Sequence, residues 1–471
     1  MEKKEIIQNL LESAGRQLDD ISAQNLFREI GFDNGKPRLG WVLPPPWQMI
    51  EMMLAALAEI ITDKEQFIFI GMGGSINGIK SVLFLKQGYP LYPLDSLDPA
   101  ALQEIVAKIK GKQDKTLVIA ISKSGSTKET LLLAETLREL FKDAWRDHFL
   151  WLADKESFPK LDSAGWQGCP KFTIQVDGNS DIGGRFTCPH TLIFLLPLFI
   201  LLNRDAAAVK RLFLEYVSMR EEIMNMAYEK ICSYKQTEAA FFSIEARRTL
   251  GEGFITWTTQ LFQESLGSKK DGFYVKTALG KEIKGFNPIC FDLHIQDKIV
   301  YLMGLMYFLQ CCVAFYAYFK KINFVNQPSV EVYKQRMQQL QDKEITLPDT
   351  VVLERLMKDI ESRLTPAVQF IEVVLYFHPQ PEFISVLRER LTTSFPQKKA
   401  FVFLGSDWNH HSYQAAFKDK TSLYVILSKK EYLNEVRPFR QETIDKNTET
   451  LKRISFATYK TLSDRALYFS L

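Results

Sequence analysis

Between residues 122 and 130 the sequence SKSGSTKET crowds four hydroxyls (Ser122, Ser124, Ser126 and Thr127), one ammonium (Lys123) and one glycine (Gly125) into a single turn. The run before it, Thr116 to Ile121, is β-rich, and the run after it, Lys128 to Lys142, spaces its leucines and alanines as a helix does. Strand, hydroxyl-rich turn and helix N-terminus together suit a phosphate dianion, because hydroxyl and amide donors converge where the helix dipole is positive. Four hydroxyls exceed what capping one helix requires. A second turn of this kind, GMGGS at 71–75, follows the β-rich run Gln66 to Ile70 and offers Gly74 and Ser75 to an anion.

The elements that must position these turns alternate short apolar runs with helical segments from residue 64 onward. That pattern predicts parallel strands joined by crossover helices, with strands at Gln66 to Ile70, Thr116 to Ile121, His148 to Ala153 and Lys171 to Val176. Residues 1–63 read as a helical approach broken by LPPPW at 43–47. From Leu202 to about Leu340 helices dominate and strands are scarce. Strand patterns return at Val368 to Phe377, Lys399 to Leu404 and Ser422 to Leu427, with a helix at Glu382 to Ser394.

Composition narrows the class. A chain of 471 residues, 46% hydrophobic and 24% charged with a net charge of +3, builds a large core and carries no strong polyelectrolyte field, so nucleic acid is not expected as a partner. Six cysteines show neither a CxxC pair nor histidines at ligand spacing, and no His, Asp and Glu cluster suggests a metal; neither metal nor cofactor is expected, and a reducing cytoplasm is the expected setting. Ile299 to Phe319 carries no charge and is long enough to cross a bilayer, yet it holds Gln310 and lacks a basic flank; it is read as a buried helix rather than a span.

Two hydroxyl- and glycine-rich turns in tandem resemble the sugar isomerase fold. Three further motifs, DIGGRFT at 181–187, QESLG at 263–267 and NQPSVEVYK at 326–334, resemble the catalytic motifs of the glucose-6-phosphate isomerase family, in that family's order. The resemblance implies two doubly wound α/β parallel-sheet subdomains, at 64–204 and 205–345. The C-terminal segment 346–471 is expected to contribute strands to the second. It implies that Glu264 is the base that moves a proton between C1 and C2, Arg185 the cation facing the enediolate, Lys334 a group near the ring oxygen and Gln327 a phosphate ligand.

The family also has a histidine that opens the sugar ring. His411, in NHHSYQAAFKD, is the expected residue, with His294 in DLHIQD and His410 as alternatives. A histidine placed after the lysine resembles the order in the isomerase half of transaldolase/isomerase fusion proteins. A sugar phosphate is the implied small-molecule partner and a homodimer the implied assembly. A regulator that binds the sugar phosphate without turning it over is the alternative, although it has no use for Glu264, Arg185 and Lys334 together.

Overall fold

The computed structural model describes residues 2–86, 88–236, 241–267, 276–279, 283, 285–326, 328–340, 345, 350–417 and 419–471, with the backbone alone at 279, 328–331, 333 and 334. After helix α1 (Trp47–Ile61) the chain enters β1 (Gln66–Ile70), α2 (Asn77–Leu83), β2 (Leu91–Leu94), α3 (Pro99–Lys108), β3 (Thr116–Ile121), α4 (Lys128–Arg138), β4 (Phe149–Ala153) and β5 (Lys171–Thr173). These strands form one parallel sheet in the order β2-β1-β3-β4-β5. The chain winds first to one side of β1 and then to the other. The seam between β1 and β3 is the switch point of such a sheet, and both turns singled out above leave it at strand carboxyl ends.

Every residue of β1, β3 and β4 is buried, as expected of a parallel sheet covered on both faces. Alternation divides the core in two. Phe67, Phe69, Leu117 and Ile119 face an N-terminal and central core, while Ile68, Ile70, Val118 and Ala120 face a core shared with the C-terminal region. The edge strand β2 went unread because Pro93 interrupts its pattern, and an edge is where a strand tolerates proline.

The second half contains β6 (Phe241–Glu245), α5 (Glu252–Leu266), β7 (Lys276–Leu279), β8 (Asn287–Cys290), α6 (Lys298–Lys320) and α7 (Pro328–Gln339). The apolar helix α6 is buried in the core rather than displayed. The C-terminal region adds β9 (Phe370–Leu375), α8 (Pro381–Ser394), β10 (Lys399–Leu404), the short helix α9 (Gly405–Asn409), β11 (Ser422–Ser428), α10 (Gln441–Thr461) and β12 (Ala466–Ser470).

The C-terminal strands do not join β6 to β8 in one ladder. Among the described residues, β8-β6-β7 is a three-stranded parallel sheet and β10-β9-β11-β12 a separate four-stranded one. The last strand, β12, closes that sheet's edge. The two sheets meet through side chains: the Lys276 ammonium on β7 pairs with Glu372 on β9 and lies 2.9 Å from Asp419, all three almost wholly buried. Their mutual neutralisation is what permits three charges in the interior.

Candidate active site

Arg185 sits on a tight turn that three elements hold. Gly40 N donates to Asp181 O at 3.2 Å, Arg38 Nη1 donates to Ser180 O at 2.7 Å, and Trp41 stacks on Phe186 with ring centroids 5.0 Å apart. From the buried helix α6, Gln310 Nε2 donates to the carbonyls of Phe186 and Cys188 at 3.1 and 2.6 Å. The one amide of that apolar stretch is thus the support for the turn. From the other side comes the GMGGS loop, where a Cβ on Gly74 would lie 2.2 Å from Gly184 O. Gly74 is therefore required for backbone packing of one turn on the other.

Held this way, Arg185 is 1% exposed. Its Nε donates to Ser265 Oγ at 2.7 Å, Nη2 to Phe324 O at 2.6 Å, and Nη1 lies 3.1 Å from Glu264 Oε1. Burial lowers its pKa and the Glu264 carboxylate opposes that shift.

Glu264 lies near the end of α5, 4% exposed. One turn earlier on the same face, Gln260 Nε2 donates to Glu264 Oε2 at 2.9 Å and to the carbonyl of His410 at 3.0 Å. The His410 ring in turn places Nε2 3.0 Å from Oε1 of Glu129, in the first turn of α4 and two residues past Thr127. A continuous polar chain thus runs from Arg185 through Glu264, Gln260, His410 and Glu129 to the helix that the hydroxyl-rich turn opens. Burial opposes charge on the His410 ring, but Glu129, with Asp407 and Glu264 behind it, overcomes this and raises its pKa above the ordinary value. Burial would raise Glu129, and His410 overcomes that too, lowering it.

The turn 405–412 that carries His410 is fixed on every side. Asp407 Oδ1 accepts from Gly73 N at 2.7 Å, Trp408 Nε1 donates to Glu372 Oε2 at 3.2 Å, and Asn409 Oδ1 accepts from Tyr376 Oη at 2.7 Å. Gly73 has φ +55°, and a Cβ there would lie 2.9 Å from both the His410 Cβ and Gln260 Nε2.

His411, the residue expected from sequence, does not join this chain. It is 1% exposed, with Nδ1 2.6 Å from Ser412 Oγ and its ring against Phe403, and burial pushes its pKa down to about 3. A one-residue step along a helical turn rotates the side chain by about 100°, which sends His411 away from the Glu129 carboxylate that His410 meets. His294 is exposed on the loop before α6.

In the hydroxyl-rich turn, Ser122 Oγ donates to Thr127 Oγ1 at 3.1 Å and accepts from Thr127 N at 3.3 Å, while Ser124 and Ser126 pair at 2.9 Å and stay exposed. Gly125 takes φ +62°, the left-handed conformation the turn needs. Lys123 is engaged elsewhere. Its ammonium donates to Ile182 O, just ahead of the Arg185 turn, and lies 3.7 Å from Asp154 Oδ2. Burial draws Lys123 down to about 8 and pushes Asp154 up to about 6. Ser75 is half-buried at the start of α2. Gln327 and the Lys334 side chain lie outside the described residues; the backbone at 334 is part of α7.

Sequence reasoning passed over Glu129 and Gln260. Both had a signal: Glu129 is the one carboxylate inside SKSGSTKET, and Gln260 stands one helical turn before Glu264.

No family model matches the chain. Among curated proteins, a glucose-6-phosphate isomerase of Campylobacter jejuni is 32% identical over 232 residues, 46% of this chain and 54% of that one. One of Thermus thermophilus is 33% identical over 140 residues, 28% of this chain and 32% of the relative. The matched stretches thus span about half of the first relative and a third of the second. A glucose-6-phosphate isomerase of Streptococcus pneumoniae matches at 24% over 440 residues, 73% of this chain and 94% of its own length. Among solved structures, a glucose-6-phosphate isomerase from Chlamydia trachomatis aligns with TM-score 0.52 at 16% identity, covering 82% of this chain and 87% of that one. A hypothetical protein from Thermus thermophilus aligns with TM-score 0.52 at 20% identity, covering 72% and 94%; both likenesses speak for the fold. With the motifs in order, these matches make the chain similar to glucose-6-phosphate isomerases in sequence and to the sugar isomerases in fold.

Proposed function

We propose that this protein interconverts glucose 6-phosphate and fructose 6-phosphate through a cis-enediol, with Glu264 as the base. The observation that carries this is the chain of contacts from Arg185 to Glu264 to Gln260 to His410 to Glu129. It joins a buried carboxylate and a buried guanidinium to the helix behind a phosphate-suited turn. The phosphate is held by Ser122, Ser124, Thr127 and the amides of that helix N-terminus.

The ring opens first. His410, whose pKa Glu129 holds above the ordinary value, donates a proton to the ring oxygen as the C1–O5 bond breaks, while the O1 hydroxyl gives up its proton to Lys334 in its neutral form, the other member of the pair that the family resemblance implies. We assign the ring-opening step to His410 in place of His411 because only His410 has a carboxylate partner in the cleft. Glu264 then takes the proton from C2 of the aldose and returns it to C1 of the ketose. Negative charge developing on the enediolate oxygens is met by Arg185, a preorganised cation in a site of low dielectric. The protein is expected to act as a cytoplasmic homodimer without a cofactor, an assembly that sedimentation analysis checks.

The test is fructose 6-phosphate formation from glucose 6-phosphate, run in deuterated water so that label appears at C1 of the product when a base exchanges its proton with solvent. Turnover no greater than that of Glu264→Gln, with sugar phosphate still bound, would assign the protein to the non-catalytic regulators of this fold.

A further inference from the structure

A cavity of about 290 Å³ lies against the same 405–412 turn and is lined by Asp407 and His411, not by Glu264, Gln260 or His410. It opens at the carboxyl ends of β2, β9 and β10, between α3, α8 and the first turn of α5. Ligands of parallel sheets bind at that end of the strands, and the volume is near the lower end for small-molecule sites.

Its walls are apolar: Leu94, Ile105, Phe377, Ile384, Val402 and Leu404. Its floor is polar and short of positive charge. The Lys80 ammonium is bound to Asp95 and also sits within the fields of Asp407 and Glu252. Beside it, His411 Nε2 has no hydrogen-bond partner among the described residues; its nearest carboxylate oxygen, Asp407 Oδ2, is 3.9 Å away. A ring nitrogen without a hydrogen-bond partner, on a side chain only 1% exposed and lining the cavity, is one that an occupant can satisfy. At the mouth, Lys108 and Arg388 are exposed and already paired, with Glu104 and Glu252.

An anion on this floor would face Asp95 and Asp407. An ammonium there supplies the missing charge, donates to Asp407 Oδ2 and to His411 Nε2, and fixes the ring proton on Nδ1, where it is donated to Ser412 Oγ. We propose that this cavity is a second binding site, for a small primary amine with an apolar body, its ammonium between Asp407 and His411 and its hydrocarbon against Leu94, Ile105 and Val402. Asp407 also holds the amide of Gly73, so the site adjoins the catalytic turns without sharing their cleft.

Isothermal titration calorimetry of the full chain, without sugar phosphate, tests this with isopentylamine and with 4-methylpentanoate as an anion of similar shape. The expected result is saturable one-to-one binding of the amine and at least tenfold weaker binding of the carboxylate. Ala101→Leu, which fills the cavity from α3, and His411→Leu, which removes the acceptor, should each weaken the amine at least tenfold, with circular dichroism showing the fold kept. Absence of saturable amine binding, equal affinity for the two probes, or undiminished affinity in a folded Ala101→Leu protein would overturn the proposal. The comparison of the two probes needs no variant, and no arm depends on turnover, so the isomerase reading stands or falls separately.

Discussion

On one side of the 405–412 turn, His410 meets the Glu129 carboxylate and is held above its ordinary pKa; on the cavity side, His411 packs against Phe403 and is driven down to about 3. The two residues share one motif and one helical turn, His410 half-buried and His411 almost wholly buried. What separates them is an acidic residue 281 positions earlier in the chain, brought over by the packing of α4 against the turn. Protonation is conferred here by a partner from another element, so a motif can offer the histidine but cannot say which of two adjacent rings is armed.

Both sides of the turn depend on the claim that chemistry is confined to the cleft, and the most severe test of that is Glu264→Gln. It should lower turnover about a thousandfold while the far-ultraviolet spectrum is unchanged, since loss of a general base costs up to about 10⁴-fold. Next comes the direct contrast. His410→Asn is expected to reduce turnover of glucose 6-phosphate about a hundredfold, and His411→Asn no more than about threefold; the reverse order would hand the ring-opening role back to His411.

A smaller effect sharpens the cause. Glu129→Gln removes the charge that raises His410, so turnover should drop about tenfold and its alkaline limb, set by loss of the His410 proton somewhat above pH 6.5, should move to lower pH. A pH profile with an unmoved limb would show that the ring is not what titrates.

Stability gives the mildest signal. The His410 and Glu129 pair contributes where both are charged, so its contribution fades as pH rises through the raised His410 value and as pH falls through the lowered Glu129 value. Thermal melts of wild type and Glu129→Gln should therefore differ most near pH 5 to 6, by about 1 to 3 kcal/mol, the range for a charged hydrogen bond.

Much of the frame was legible beforehand because parallel strands buried on both faces write themselves as apolar runs, as QFIFI and TLVIAI do. The roles expected of Glu264 and Arg185 came from their motifs, and the structure brings the two side chains into contact. Side-chain direction around a turn was not legible: His410 and His411 differ by one residue, and only coordinates tell which faces Glu129. Edge strands were also lost, β2 to its proline and β12 to a mixed, half-buried pattern. Nor does sequence say that β9 to β12 close a sheet of their own, because ladder partners are chosen by tertiary contacts.

The ammonium of Lys276 finds its two counter-charges on strands that begin almost a hundred residues later and, beyond them, at a loop almost fifty further on. Until those late segments dock, neither of these counter-charges is there to neutralise it. A fragment ending near residue 350 would strand that charge, so the last 120 residues serve as a keystone: the helix of Glu264 ahead of Lys276 and the histidine behind Glu372 should gain and lose their native arrangement together, in one cooperative melting event.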